Sequence, residues 1–70
     1  MLDLLGLEKG KKYFMYEEGT AGRIKVTCLA ITGGHGVKNV YLRPEYEGRF
    51  KGDLKIPISE TGYSFSPIES

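Results

Sequence analysis

The chain has 70 residues, with ten Lys and Arg against nine Asp and Glu and a formal net charge of +1 at pH 7. This length fits one domain, residues 1–70, which buries only about 60% of the surface of its unfolded form, so the core is thin. The balanced charge lacks the basic excess of a dedicated nucleic-acid binder, and no run of about 18 apolar residues predicts a transmembrane helix.

The sequence predicts a cytoplasmic location. Cys28 is the only cysteine and lies in an alternating apolar run. We interpret it as a small buried hydrophobe in a reducing compartment, rather than a reactive thiol or an intermolecular bridge. The apolar start of the chain, residues 1–7, is short and has no basic segment before it, which is not typical of a secretory signal.

The first predicted element is a single helical turn over Asp3 to Leu7, ending near Gly6. Such a turn is unstable alone in water, so its apolar side chains must pack on something. They either close one end of a barrel or meet another subunit. The side chains concerned are Leu2, Leu4, Leu5 and Leu7.

The first predicted strand covers residues 11–17. Tyr13 and Met15 share one side, and Phe14 and Tyr16 share the other. Because both sides are apolar, we expect the strand to be covered twice, by the barrel interior and by the N-terminal segment or a partner.

The second predicted strand covers residues 23–32 and follows the turn at 19–22. Its apolar residues alternate as far as Cys28 and then change sides at Leu29 and Ile31. A β-bulge, a sharp barrel bend or burial on both sides each explains this change.

The third predicted strand, residues 37–43, ends at Pro44, because proline has no N–H to donate to a ladder. The fourth has the clearest alternation, with Gly52 in phase at a barrel corner. Its inward row is Phe50, Leu54, Ile56 and Ile58, and its outward row is Arg49, Lys51, Asp53 and Lys55. Tyr63 and Phe65 form a short last strand before Pro67.

Glycine-rich turns between short strands of β-branched and aromatic residues predict an all-β fold. Five such strands with a short N-terminal helical turn resemble the SH3-like and OB-like small barrels. The resemblance is one of pattern, and these folds carry many unrelated functions.

Candidate catalytic groups are sparse, and we predict that the protein is not an enzyme. His35 is the only histidine, so no second imidazole supports a metal site or a Cys-His pair. Glu17 with Glu18, and Glu45 with Glu47, read as solvated carboxylates at turns rather than as an acid-base pair. No metal and no cofactor is predicted.

The connection Gly33-Gly34-His35-Gly36 has two interpretations. It is either a hairpin loop in which glycine supplies positive φ, or an anion-binding nest of backbone N–H groups with His35 as an added contact. The sequence lacks the Gly-Lys-Ser/Thr ending of a phosphate-binding loop.

Basic and aromatic residues alternate in two stretches, a pattern typical of surfaces that stack single-stranded bases. The alternative is that they are ordinary strand tyrosines with solubilising lysines. The first stretch holds Lys9, Lys11, Lys12, Tyr13 and Tyr16. The second holds Tyr41, Arg43, Tyr46, Arg49 and Lys51, and it joins Gly33, Gly34, His35 and Gly36 as the candidate ligand- or partner-binding set.

Self-association is also predicted, because the apolar residues occupy more faces than one small barrel hides. The expected homo-oligomer interface consists of Leu2, Leu4, Leu5, Leu7, Leu29 and Ile31.

These features favour a non-enzymatic module that binds a larger protein partner, either with or without inhibiting it. It is similar in type to the small accessory proteins of phages and mobile elements. One alternative is a nucleic-acid-binding small barrel. Another is a protein that sequesters a small anionic ligand such as a nucleotide.

Overall fold

The computed structural model describes residues 2–33, 36, 38–45 and 52–68. Within these ranges the chain forms one 3-10 turn and five β-strands, as expected for an all-β fold with a short N-terminal helical turn. The turn is Leu4–Gly6, and the strands are β1 Lys12–Glu17, β2 Ile24–Thr32, β3 Asn39–Pro44, β4 Leu54–Pro57 and β5 Tyr63–Pro67.

All five strands belong to one antiparallel sheet in the order β4–β3–β2–β1–β5. The first four form a meander, and β5 returns to pair with the other side of β1. No ladder joins β4 to β5 among the described residues, so the sheet is not closed and the predicted barrel is not confirmed.

The core lies on one face of this sheet. A flat sheet covered only by a three-residue turn would leave the side chains of both faces exposed to water. The complete burial of the core side chains therefore requires the sheet to twist and curl around them. The buried side chains come from all five strands and the N-terminal segment. They are Leu4, Leu7, Tyr13, Met15, Val26, Cys28, Val40, Leu42, Ile56 and Phe65.

The N-terminal leucines pack mainly on their own sheet. The Asp3 carboxylate accepts a hydrogen bond from the Leu5 N–H at 3.0 Å and thereby caps the 3-10 turn. Leu4 and Leu7 are 2% and 4% exposed, whereas Leu5 is 72% exposed. Leu4 and Leu7 therefore pack in the core of their own chain.

The change of apolar phase in β2 is a β-bulge. Cys28 pairs with Leu42, but the next aligned pair is Ala30 with Tyr41, so Leu29 is the extra residue. The bulge returns Ile31 to the core side, where it packs against the buried cluster. Among the three explanations offered by the sequence, the bulge is correct.

The inward row of β4 is confirmed where the structure describes it. Ile56 is buried, Leu54 and Ile58 pack against the core, and Lys55 is exposed. Phe50, Arg49 and Lys51 lie outside the described residues.

The prediction for Gly52 is wrong, because this residue precedes β4 and has a φ of 81°. Its nearest β3 counterpart would be Pro44, but the β3–β4 ladder stops at the Leu42–Leu54 pair. Proline has no N–H to extend that ladder. Pro44 still belongs to β3, where it pairs with Val26 of β2.

Proline occupies the free edge of β4. The Ile58 N–H donates to the Lys38 carbonyl at 2.9 Å, so every second residue counted back from Ile58 bonds to β3. Lys55 and Pro57, which lie between, direct their backbone groups outward. Pro57 has no N–H, and its carbonyl already accepts the Glu60 N–H at 2.9 Å. Among the described residues, this edge therefore offers another strand only the N–H and C=O of Lys55.

The free edge of β5 is covered in a similar way. The Ile68 N–H donates to the Lys12 carbonyl at 3.1 Å, and every second residue counted back from Ile68 bonds to β1. The backbone groups of Phe65 and Pro67, which lie between, therefore point away from β1. Phe65 exchanges two backbone hydrogen bonds of 2.8 Å with Leu2, and Pro67 again has no N–H.

We expect Ile56→Ala to lower the free energy of unfolding by about 2–5 kcal/mol, because it removes buried surface and leaves a cavity. Lys55→Ala, at the adjacent outward position, should change it by less than about 0.5 kcal/mol. Denaturant melts of the two variants measure both values. Equal losses would contradict the observed register of β4.

We expect Pro57→Thr to promote self-association, because it gives the free edge of β4 an outward N–H while leaving the core unchanged. Sedimentation at increasing concentration measures the effect. Ser59→Thr in the following turn is the matched control, since it adds a similar side chain without changing a backbone donor. A monomeric Pro57→Thr variant would show that proline does not protect this edge.

Candidate basic binding face

The side of the sheet opposite the core carries most of the exposed functional side chains. We call this surface the outer face. Alternation along the strands places cations, aromatic rings and hydroxyls there together. It comprises Lys12, Phe14, Tyr16, Arg23, Lys25, Thr27, Tyr41, Arg43, Lys55, Ser64 and Ser66.

The best-defined part of the outer face is a cluster around Phe14. The Arg23 guanidinium carbon lies 3.9 Å from the centroid of the Phe14 ring, and the Lys25 ammonium nitrogen lies 5.9 Å from it. Arg23 also donates a long hydrogen bond of 3.5 Å to the Tyr16 hydroxyl. Cation–π attraction to one ring thus holds two positive charges close together. We call Phe14, Tyr16, Arg23 and Lys25 the Phe14 cluster.

The Phe14 cluster explains the two-sided apolar pattern of β1. Tyr13 and Met15 enter the core, and Phe14 is half-buried on the opposite side. The second cover predicted from the sequence is supplied there by the Arg23 side chain of the same chain, rather than by the N-terminal segment.

Two other cations of the outer face are neutralised by carboxylates. Lys12 Nζ donates to Glu45 Oε1 at 2.8 Å, and Arg43 Nε donates to Asp53 Oδ1 at 3.1 Å. The hydrogen bond and positive charge of Lys12 lower the pKa of Glu45, with a smaller lowering from Lys25.

Positive charge is therefore in excess at the Phe14 cluster. Among the described residues, Arg23 and Lys25 have no carboxylate oxygen within 4.0 Å. Backbone pairing places Ser66 beside Phe14, and Ser64 beside Tyr16, on the neighbouring strand β5. An anionic group at this position would meet two cations and the Tyr16 hydroxyl, an arrangement suited to charge-assisted hydrogen bonds.

The structure brings together only part of the sequence-predicted binding set. Tyr41 and Arg43 lie on the outer face, whereas Gly33 and Gly36 are exposed in the β2–β3 connection. The remaining members lie outside the described residues: Gly34, His35, Tyr46, Arg49 and Lys51.

Tyr13, which the sequence grouped with the basic and aromatic stretch, does not belong to the outer face. It is 2% exposed, and its hydroxyl accepts the Glu8 N–H at 2.9 Å. Stacking a base on this ring is therefore excluded by burial.

Sequence reasoning did not select Phe14, Arg23 or Lys25 as binding residues. The alternation of β1 does place Phe14 opposite the core side. Arg23 lies just before β2, so its position over the ring follows only from the β1–β2 pairing of Phe14 with Lys25.

Cys28 is a buried apolar side chain, as predicted. It is 0% exposed, and burial raises the pKa of its thiol. A raised pKa lowers the thiolate fraction that reacts or binds metal. Among the described residues, no group of three His, Cys, Asp or Glu side chains is placed to hold a metal ion.

The hollow beside Arg23 is small. It has a volume of about 150 Å³ and is lined by Met15, Ile24, residues 20–23 and the acidic Glu17. Ligand pockets usually measure about 300–1,000 Å³. This hollow therefore fits a side chain better than a nucleotide.

Comparison with protein-family models, curated proteins and solved structures gives no match for this chain. None of the helical residues that the structure describes forms a helix long and apolar enough to cross a membrane.

We expect Lys12→Met to raise the pKa of Glu45 toward its ordinary value, because the variant loses the hydrogen bond and the charge that lower it. In the wild-type fold, a lowered pKa stabilises the protein above the ordinary glutamate pKa. That contribution is lost as the pH falls through the lowered value. A carboxyl NMR titration of both proteins measures the difference, with Lys38→Met as control. An unchanged Glu45 titration would contradict the ion pair.

Proposed function

We propose that this protein is a non-enzymatic binding module whose outer face engages an acidic surface of a larger protein partner. The observation that carries the proposal is the Phe14 cluster, where Arg23 and Lys25 converge on one ring without a carboxylate partner among the described residues. Complementary charge across an interface increases the association rate and selects the partner.

Other features of the outer face favour a protein over single-stranded nucleic acid. The guanidinium of Arg23 already lies over the Phe14 ring, whereas base stacking needs an open ring. Glu45 and Asp53 lie among the cations and would repel a continuous phosphate backbone. A protein surface can instead pair its own cations with these carboxylates.

Nucleic-acid binding is a second candidate because one observation favours it. Five cations of the described outer face accompany two nearby carboxylates, and the tyrosines Tyr16 and Tyr41 lie among them. Sequestration of a small anionic ligand has weaker support. His35 and Gly34 of the loop proposed for that ligand lie outside the described residues.

The proposal extends to fold group, mode of action and location. The meander with β5 returning to β1 supports an SH3-like arrangement. Small size and a single domain support an inhibitory accessory role of the type found in phages and mobile elements. Cys28 is a free, buried thiol. Free cysteines are ordinary in the reducing cytoplasm, so this residue supports a cytoplasmic location.

We keep homo-oligomerisation as a proposal with a smaller interface. Leu4 and Leu7 are in the core, and Leu2, Leu29 and Ile31 are half-buried. Leu5 is the one exposed large hydrophobic side chain in the described part of the chain. A single exposed leucine provides less apolar surface area than a stable dimer interface buries.

Charge reversal at the Phe14 cluster tests the proposed function. We expect Lys25→Glu and Arg23→Glu to weaken binding of a Glu-rich peptide at least about tenfold, because each replaces attraction with repulsion. Lys38→Glu changes the net charge equally from an exposed site before β3 and should retain most of the affinity. Isothermal titration calorimetry at two salt concentrations measures all four proteins.

An oligothymidylate of equal charge distinguishes the alternatives. If it binds more tightly than the peptide, with a steep loss of affinity in salt, nucleic-acid binding replaces the proposal. Equal effects of Lys38→Glu and Lys25→Glu on peptide binding would mean that net charge, and not the Phe14 cluster, determines the affinity.

A further inference from the structure

One residue of the β5 edge is left uncovered within the described part of the chain. The Glu18 N–H donates to the Gly62 carbonyl at 2.7 Å, which continues the pattern in which even-numbered residues of β5 bond to β1. Tyr63 therefore directs its N–H and C=O away from β1, as Phe65 does. Phe65 is bonded to Leu2, but no backbone hydrogen bond to Tyr63 is formed by the described residues on that side.

The N-terminal segment begins to cover this edge and then leaves it. Continuing the antiparallel alignment of Leu2 with Phe65 would place Leu4 opposite Tyr63. The Asp3 cap instead turns the chain into the 3-10 helix, and Leu4 enters the core. With respect to the described residues, the backbone groups of Tyr63 thus remain available for one more bridge of the kind that Leu2 makes with Phe65.

A hollow of about 320 Å³ adjoins this open position. Apolar side chains of the 3-10 turn, of the residue after β4 and of the first residue of β5 line it. They include Leu4, Leu5, Ile58 and Tyr63. The exposed Leu5 contributes to its wall. An extended chain bonded to Tyr63 would direct one side chain to the core side of the sheet, because paired residues share a face. That side chain would enter the hollow.

The charges around Tyr63 are negative. Asp3 and Glu60 line the hollow at the free edge, whereas Glu17 and Glu18 lie on the β1 side of Tyr63. None of these carboxylates is in an ion pair with a described residue, in contrast to Glu45 and Asp53 on the outer face. A segment that places an apolar residue opposite Tyr63 is therefore complemented by lysines or arginines at the flanking positions.

We infer that the β5 edge at Tyr63 binds an extended basic segment of another protein by β-strand addition. The segment exchanges backbone hydrogen bonds with Tyr63, places an apolar side chain beside Leu5, and presents flanking cations to Asp3 and Glu60. Main-chain bonds give affinity in this mode, and the pocket for alternate side chains gives specificity. This site is separate from the outer face and does not depend on it.

A capped Lys-Val-Lys-Val-Lys peptide is the probe. We expect it to bind the full chain, with the largest backbone amide NMR shifts at Tyr63 and its neighbours. Methylation of the central residues' backbone nitrogens removes the donors while keeping charge and shape, and should weaken binding about fivefold or more. A capped Glu-Val-Glu-Val-Glu peptide should not bind. Equal affinity of the methylated and unmethylated Lys-Val peptides would overturn strand addition.

Protein variants locate the site. Glu60→Lys and Leu5→Ser are both exposed changes, and each should weaken peptide binding several-fold with the melting temperature unchanged. Glu8→Lys, an exposed acidic position near the opposite end of β1, is the matched control and should bind as wild type. Full binding by Glu60→Lys would overturn the site, as would a dimer in sedimentation that Leu5→Ser dissociates, because a second copy would then occupy the hollow.

Discussion

The packing of Leu4 and Leu7 against the curled sheet is the contact on which the rest of the structure depends. One sheet supplies most of the core of this small chain, and only one of its two faces can curl inward. The 3-10 turn supplies cover on the core side, and the Asp3 cap fixes where that turn begins. Burying the sheet's concave side in this way leaves its convex side free to carry charge.

That division of faces separates two kinds of chemistry. Cations and tyrosines gather on the outer face, where Phe14 is protected by a guanidinium rather than by apolar packing. Carboxylates without described ion-pair partners gather at the end where β4 turns into β5. A net charge near zero therefore conceals a polarised surface, and composition alone underestimates what the molecule can attract.

Residues whose burial follows a strict period were predictable from the sequence, and residues placed by a turn were not. Cys28 and Ile56 reached the core because alternation in a strand fixes their face. The phase change at Leu29 was visible, but choosing the bulge required the pairing with Leu42 and Tyr41. The position of Arg23 over the Phe14 ring was not predicted, because this contact depends on the conformation of the β1–β2 turn. Closure of the sheet was equally undetermined, since edge pairing between β4 and β5 leaves no local pattern.

The pairing of β1 with β5 has a consequence for the order of folding. The meander of β1 to β4 joins neighbours in sequence, so its loops close at low entropic cost. The Tyr13–Pro67 pair instead joins residues from opposite ends of the chain, and so does the bridge between Leu2 and Phe65. Late docking of β5 would make its arrival the slow, concerted step, because contacts between distant residues reduce folding rates. Until β5 docks, the four-stranded meander would therefore leave part of its apolar face open to solvent.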